Sequence, residues 1–179
     1  PKDIKSLTIE ELKVLADEIR AEIISVTLSN GGHMASSLGT VELILALHYV
    51  FDTPSDKLVF DVGHQAYTHK LITGRREEFK NLRKKDGISG FPTHKESEYD
   101  VFDAGHASAS ISVSLGLARA RDIKKDKYEV VAVIGDGSIS GGVALEALND
   151  IGDTDTKMII VLNDNEMSIA QNVGAFSSF

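Results

Sequence analysis

Asp136 stands in Gly135-Asp136-Gly137, directly after the apolar run Val130–Ile134. Asn163-Asp164-Asn165 stands directly after a second apolar run, Met158–Leu162, and a helix-like stretch from Gly142 to Ile151 lies between the two. The order strand, acidic glycine turn, helix, strand, amide-rich turn predicts two parallel strands. It brings a carboxylate and a carboxamide to one end of a sheet, where α/β proteins open their ligand crevice. An oxygen-only pair of this kind suits a hard cation such as Mg²⁺, which usually takes phosphate oxygens as further ligands. Each half alone has an ordinary alternative. Asp-Gly is common in loop turns, and an Asn-Asp-Asn run caps helices with the same oxygens. The pairing across one strand–helix–strand unit is what favours a site.

Three of the six histidines follow a glycine: Gly32-His33, Gly63-His64 and Gly105-His106. Each pair lies where coil or strand runs into a predicted helix. A helix N-terminus offers unpaired N–H groups and the positive end of a dipole. Several such ends, with Gly135-Asp136-Gly137 among them, predict a large polyanionic ligand held by backbone as much as by side chains. His33 and His64 read either as loop histidines bonded to backbone or as acid–base groups, and His106 reads more through its backbone. His48 falls in a buried helical pattern and reads as a satisfied core histidine, whereas His69 and His94 read as surface or supporting groups. No His-Glu-x-x-His pair is present. Ser36, Ser37, Ser108 and Ser110 form no Gly-x-Ser-x-Gly nucleophile elbow. The absence of cysteine excludes disulfides, zinc thiolates and cysteine nucleophiles.

The elements that must position these groups follow from periodicity and punctuation. Thr8 with Glu11 forms a capping-box pattern opening a helix to about Leu28, with Leu12, Leu15, Ile19, Ile23 and Val26 on one stripe. Asn30-Gly31-Gly32 ends it, and His33–Gly39 reads as a small-residue loop. A buried helix is expected from Thr40 to Phe51, and a strand at Leu58–Val62 turns through Gly63-His64 into a helix ending near Gly74. Arg75–Lys85 reads as a polar surface helix, Asp86–Tyr99 as a long loop of the kind that is often functional, and Ala109–Arg121 as a small-residue helix. No Gly-x-Gly-x-x-Gly follows the 130–134 strand, which weighs against a plain dinucleotide-binding domain.

The bulk numbers are compatible with one domain of 179 residues. A net charge of -8 argues against a nucleic-acid-binding surface. The basic clusters Lys70–Lys85 and Arg119–Lys127 read as solvated helix faces. The longest apolar run, Val41–Phe51, is broken by Glu42 and His48 and falls short of a membrane span. The polar start reads as free of a signal peptide, and a cytoplasmic setting is expected.

At these residues the chain resembles the thiamin-diphosphate enzymes, whose signature runs from Gly-Asp-Gly to an Asn-rich close. More closely, it resembles the N-terminal part of the 1-deoxy-D-xylulose-5-phosphate synthase family. The matching stretches are Gly31–Gly39, Val41–Leu43, Ala46–Phe51, Asp61–Tyr67, Leu71–Arg76, Gly105–Ser112, Val133–Gly137 and Leu162–Ile169, in the family's order. The resemblance implies an α/β doubly wound fold with a mostly parallel sheet and helices on both faces. It implies Mg²⁺ on the side chains of Asp136 and Asn165 and the carbonyl of Met167. The diphosphate of thiamin diphosphate would touch Gly137, Ser138 and Asn165 on one side and Gly105, His106 and Ala107 on the other. His64 would lie near the cofactor and, with His33, serve catalysis. Ala107 replaces a common Ser, which puts one hydroxyl contact in question. Thr68 replaces Pro and Phe60 replaces Trp, without expected chemical effect.

The activity implied is condensation of pyruvate with glyceraldehyde 3-phosphate and loss of CO₂. Family members are several times longer. Residues 1–179 are therefore expected to be one diphosphate-binding domain, a fragment lacking the pyrimidine-binding domain and inactive alone, with the complete enzyme a homodimer that binds neither nucleic acid nor membrane. Two rivals remain: the N-terminal half of a transketolase-type enzyme, and a non-catalytic nucleotide- or partner-binding α/β domain.

Overall fold

The structure is a computed structural model that describes residues 1–164, so Asn165 and Met167 lie outside the described residues. The chain divides into two compact units. The first is built from Pro1–Ser55 and Gly63–Asp103, the second from Asp56–Val62 and the chain from Ala104 onward.

The first unit is helical. After a short 3-10 helix (Lys2–Ser6) come α1 (Ile9–Asn30), α2 (Met34–Leu38), α3 (Val41–Val50), α4 (Tyr67–Ile72) and α5 (Arg76–Phe79). The capping box forms as the sequence predicts. Thr8 Oγ1 accepts the Glu11 N–H while the Glu11 carboxylate accepts the Thr8 N–H. The apolar stripe of α1 packs Ala16, Ile19, Ile23 and Val26 against Val41, Leu45, Tyr67, Phe79 and Leu82.

Three expectations are corrected here. The small-residue segment after Gly32 is not a loop, since Met34–Leu38 is helical, with Ser37 buried. Arg75–Lys85 is not one surface helix. Only Arg76–Phe79 is helical; Arg83 and Asp86 take positive φ, and Phe79 and Leu82 are fully buried. Burial of those two side chains in a short turn outweighs the helical propensity of the charged residues around them. Finally, Lys70 and Arg75 are buried rather than solvated, as are the ring of His69 in the same unit and the side chain of Arg121 in the other.

The second unit is a parallel three-stranded sheet in the order β1-β2-β3, with β1 at Lys57–Phe60, β2 at Val130–Gly135 and β3 at Ile159–Asn163. The helices α6 (Ser110–Lys124), α7 (Asp136–Ile139) and α8 (Gly142–Gly152) belong to it. Residues 130–134 of the central strand are all fully buried, which is why that run is continuously apolar rather than alternating. Ile111 of α6 and Ala144 and Ala147 of α8 pack on Ala132 and Ile134. The small alanines let α8 lie close to the strand. Among the described residues no helix is long and apolar enough to cross a membrane.

Candidate functional site

The two turns singled out by the sequence leave neighbouring strands at matched positions. Gly135 of β2 is the register partner of Asn163 of β3, and the strands are parallel. Asp136 and Asp164 therefore follow at the same sheet end, with Asp136 half-buried in the first turn of α7. The Gly-Asp-Gly segment is thus a helical turn rather than a simple loop turn. Asp136 offers carboxylate oxygens there, the donor type a hard cation takes. Of the three expected metal ligands, only Asp136 falls among the described residues.

The segment Gly105–Ala107 is exposed and rests on buried Ser108. Gly105 takes φ +141, and a side chain there would meet open space, so the backbone itself faces a gap. Ser108 takes φ +72, a left-handed conformation that costs a non-glycine residue about 1–2 kcal/mol. Three hydrogen bonds and the bare Cα of Gly141 fix its surroundings. Its N–H donates to Asp61 Oδ1 (2.8 Å), and the Ser110 N–H donates to Asp61 Oδ2 (3.0 Å). The Ser108 hydroxyl donates to the Ser138 carbonyl (2.7 Å), and a Cβ on Gly141 would come within 2.0 Å of that hydroxyl oxygen.

Asp61 was not singled out by sequence reasoning. Its one local signal is an acid directly after an apolar strand, which names no partner. It also qualifies the expectation about helix ends, because the first N–H of α6, that of Ser110, already has an anion, the protein's own carboxylate.

In the first unit, His33 and His64 come together. Their ring centroids lie 5.5 Å apart, edge to face. The Ser37 hydroxyl donates to the His64 carbonyl (3.0 Å), and the Thr40 hydroxyl donates to the Gln65 carbonyl (3.0 Å). These bonds tie the Gly63–Ala66 turn to the residues around α2. The fully buried Tyr67 sets the other histidine, its hydroxyl accepting the His33 N–H (3.2 Å). A Cβ on Gly32 would lie 2.8 Å from that hydroxyl, and Gly32 has φ +149, so glycine is required twice over. The Phe91 ring stands 5.7 Å from His33. Burial, with the charge of Arg83 added, holds the His33 proton affinity below the ordinary value. Nδ1 of His33 is buried without a hydrogen-bond partner among the described residues. Neither Tyr67 nor Phe91 carried a sequence signal that separates it from a core aromatic.

The other pair of histidines is bonded throughout. Thr53 Oγ1 meets His48 Nδ1 (3.0 Å), His48 Nε2 meets His69 Nδ1 (2.8 Å), and His69 Nε2 meets Asp100 Oδ1 (2.9 Å). An ionised Asp100 only accepts. His69 must then donate from Nε2 and accept at Nδ1, His48 must do the same, and the Thr53 hydroxyl must donate. Arg75 binds both Asp100 oxygens (2.6 and 2.9 Å), and the Thr93 N–H adds a further bond (2.9 Å). Burial opposes the Asp100 charge, yet the bonds from His69 and Arg75 prevail and hold its carboxyl below the usual range. Burial pushes His48 down to about 2 and also lowers His69, against the pull of Asp100. Lys70, wholly buried, pairs with Glu96 (2.5 Å), whose other oxygen accepts the Ser89 N–H (2.6 Å). The long loop is thus fastened by its own acids to the cations of α4 and the turn after it. His48 is the core histidine the sequence predicts. His69 is not at the surface, whereas exposed His94 pairs with Asp103 (2.7 Å).

A parallel sheet with an acid and an amide at matched strand ends makes this an α/β protein of the open-sheet class, in which ligand crevices open at the carboxyl ends of the strands. Solved chains share this fold. Transketolase from Campylobacter jejuni superposes with a TM-score of 0.76 over 91% of this chain and 29% of its own, at 21% identity. The R525L mutant of Pichia stipitis transketolase gives a TM-score of 0.78 over 90% of this chain and 28% of its own, also at 21% identity. The expected α/β fold is therefore correct. The family model described as 1-deoxy-D-xylulose-5-phosphate synthase matches residues 1–179, and the chain belongs to that family. It is 62% identical over its whole length to the 1-deoxy-D-xylulose-5-phosphate synthase of Desulfitobacterium hafniense and 60% identical to that of Thermus thermophilus. It spans 28% and 29% of those relatives, respectively.

Proposed function

We propose that this chain is the diphosphate- and Mg²⁺-binding part of a 1-deoxy-D-xylulose-5-phosphate synthase. The complete enzyme is a thiamin-diphosphate-dependent transferase that condenses pyruvate with glyceraldehyde 3-phosphate and releases CO₂, and we read it as a cytoplasmic homodimer. The observation that carries the reading is the register of Gly135 on Asn163 in a chain matched end to end by the synthase family. Asp136, Asn165 and the Met167 carbonyl would hold the metal. Gly137, Ser138 and Asn165, together with Gly105, His106 and Ala107, hold the diphosphate, chiefly through backbone N–H groups that need no charge of their own. When bound, thiamin diphosphate supplies the electron sink for the carbon–carbon chemistry.

His33 and His64 move protons. A histidine whose proton affinity is depressed is neutral at neutral pH, so His33 can accept a proton at Nδ1, which has no partner among the described residues, and return it later. Without the pyrimidine-binding domain the chain has no turnover of its own.

Titration calorimetry tests the binding reading. Thiamin diphosphate with Mg²⁺ should bind in preference to nucleotides with Mg²⁺, and Asp136→Ala should abolish the metal-dependent heat. A preference for a nucleotide would refute the assignment in favour of a non-catalytic domain. Product formed from pyruvate and glyceraldehyde 3-phosphate by residues 1–179 alone would overturn the predicted inactivity. CO₂ release by the complete enzyme separates a synthase from a transketolase-type reaction, which releases none.

A further inference from the structure

The contacts around Ser108 join two segments that are 30 residues apart in sequence. The stretch Gly105–Ala107 is exposed, and its glycine has φ +141 with open space beside it. Its fixed point is the next residue. Ser108 is held in a left-handed conformation by the buried Asp61 carboxylate, which takes the N–H groups of Ser108 and Ser110. From that pose the Ser108 hydroxyl reaches the carbonyl of Ser138, which also accepts the Gly141 N–H (3.2 Å). The bare Cα of Gly141 leaves the hydroxyl its space. A residue keeps an unfavourable backbone conformation only when its surroundings over-determine it, and such residues gather at ligand sites.

We propose that Asp61 and Ser108 are positioning residues that lock the Gly105–Ala107 segment to the Gly137–Ser138 turn, so that both walls of the diphosphate site stand in place before the ligand arrives. The inference rests on the reading of those two segments as the walls. Neither side chain is asked to touch the ligand. Asp61 spends both oxygens on backbone N–H groups, and Ser108 spends its hydroxyl on a carbonyl. Ligand binding to a pre-formed site avoids the cost of ordering the walls, and this lock supplies that order.

Three variants carry the test, made in the complete polypeptide: Ser108→Ala, which keeps the backbone strain and loses the hydroxyl; Ser108→Gly, which loses both; and Asp61→Asn, which retains one acceptor. The first readout is amide hydrogen exchange of the ligand-free protein. In Ser108→Ala, amides of both segments 105–110 and 136–141 should exchange roughly tenfold faster. The second is the Kd for thiamin diphosphate with Mg²⁺, which should rise about tenfold in Ser108→Ala and further in Ser108→Gly. At saturating cofactor kcat should stay within about twofold, because no group that moves a proton has been removed. A purely structural role would lower the melting temperature and leave Kd alone.

Unchanged exchange in 136–141, or an unchanged Kd in Ser108→Ala, would overturn the lock. If Asp61→Asn fails to fold, the two Ser108 variants still decide. A parent protein that binds no thiamin diphosphate would sink the functional reading instead, and exchange in the ligand-free protein would still judge the coupling of the two segments.

Discussion

Two pairs of histidines lie in the same helical unit and share almost nothing but residue type. His48 and His69 are wholly buried, and their four ring nitrogens all lie on one hydrogen-bonded line from Thr53 to Asp100. His33 and His64 are half-buried, meet edge to face, and leave Nδ1 of His33 without a partner among the described residues. The first pair spends its hydrogen-bonding capacity on the fold. The second keeps some in reserve. Buried polar groups are normally satisfied, so the orphaned nitrogen, on a residue whose N–H is held by Tyr67, is the observation behind the proposed acid–base role.

Variants that treat the pairs alike should therefore produce opposite results. The largest effect is expected from His33→Asn in the complete enzyme. Turnover should fall at least ~100-fold, while the stability measured by urea unfolding shifts by less than about 1 kcal/mol. A large loss of stability with turnover retained would reverse the assignment. Next comes Asp100→Asn. It removes the charge that Arg75 grips through both oxygens, leaving the buried guanidinium the longer ion pair with Glu96 (3.5 Å), and it should cost about 3–5 kcal/mol in the same unfolding experiment. A cost under ~1 kcal/mol would mean the line holds nothing.

The pH dependence of stability distinguishes the pairs without mutation. His48 and His69 have folded-state proton affinities below the unfolded value, with His48 at about 2 against 6.5. Their neutral forms belong to the folded state. The stability they contribute is complete above pH 6.5 and drains away as the pH falls below it, by at most ~1.4 kcal/mol per unit for each ring. Asp100, also depressed, adds its own loss below its ordinary value of 3.8. Unfolding midpoints measured from pH 7.5 down to pH 4 should fall more gently in His48→Gln than in the parent. Equal slopes would exclude His48 as a source. The smallest effect is expected from Thr53→Val, which removes the terminal hydroxyl of the line and strands one nitrogen. A loss of about 1 kcal/mol should be read in the urea midpoint, with turnover of the complete enzyme unchanged.

Sequence legibility followed the range of the interactions. The capping box, the end of α1 at Gly31 and the apolar stripe were readable because each depends on residues within a turn or two. So was the strand–turn–helix–strand order around Asp136, since periodicity and glycine punctuation are local signals. The candidate site was readable as residue types, but its supports were not. Asp61 reaches Ser108 across 47 positions and Ser108 reaches Ser138 across 30. Nothing local marks either bond. The segment Arg75–Lys85 failed for the same reason. Its charges suggested a solvated helix, but Phe79 and Leu82 found a core supplied by α1 and α3, and Arg75 found Asp100 in a later loop.

By itself, then, the chain's order of residues set the parallel strand–helix–strand unit, its acidic and amide-bearing strand ends, and the glycines that punctuate its turns. These are consequences of dihedral preference and of apolar spacing, which act between neighbours. Which ring nitrogens are bonded, and that Nδ1 of His33 has no partner among the described residues, was decided by folding alone. A ring nitrogen's fate depends on the donor or acceptor that arrives from a distant segment, and burial fixes its charge only once that segment is in place.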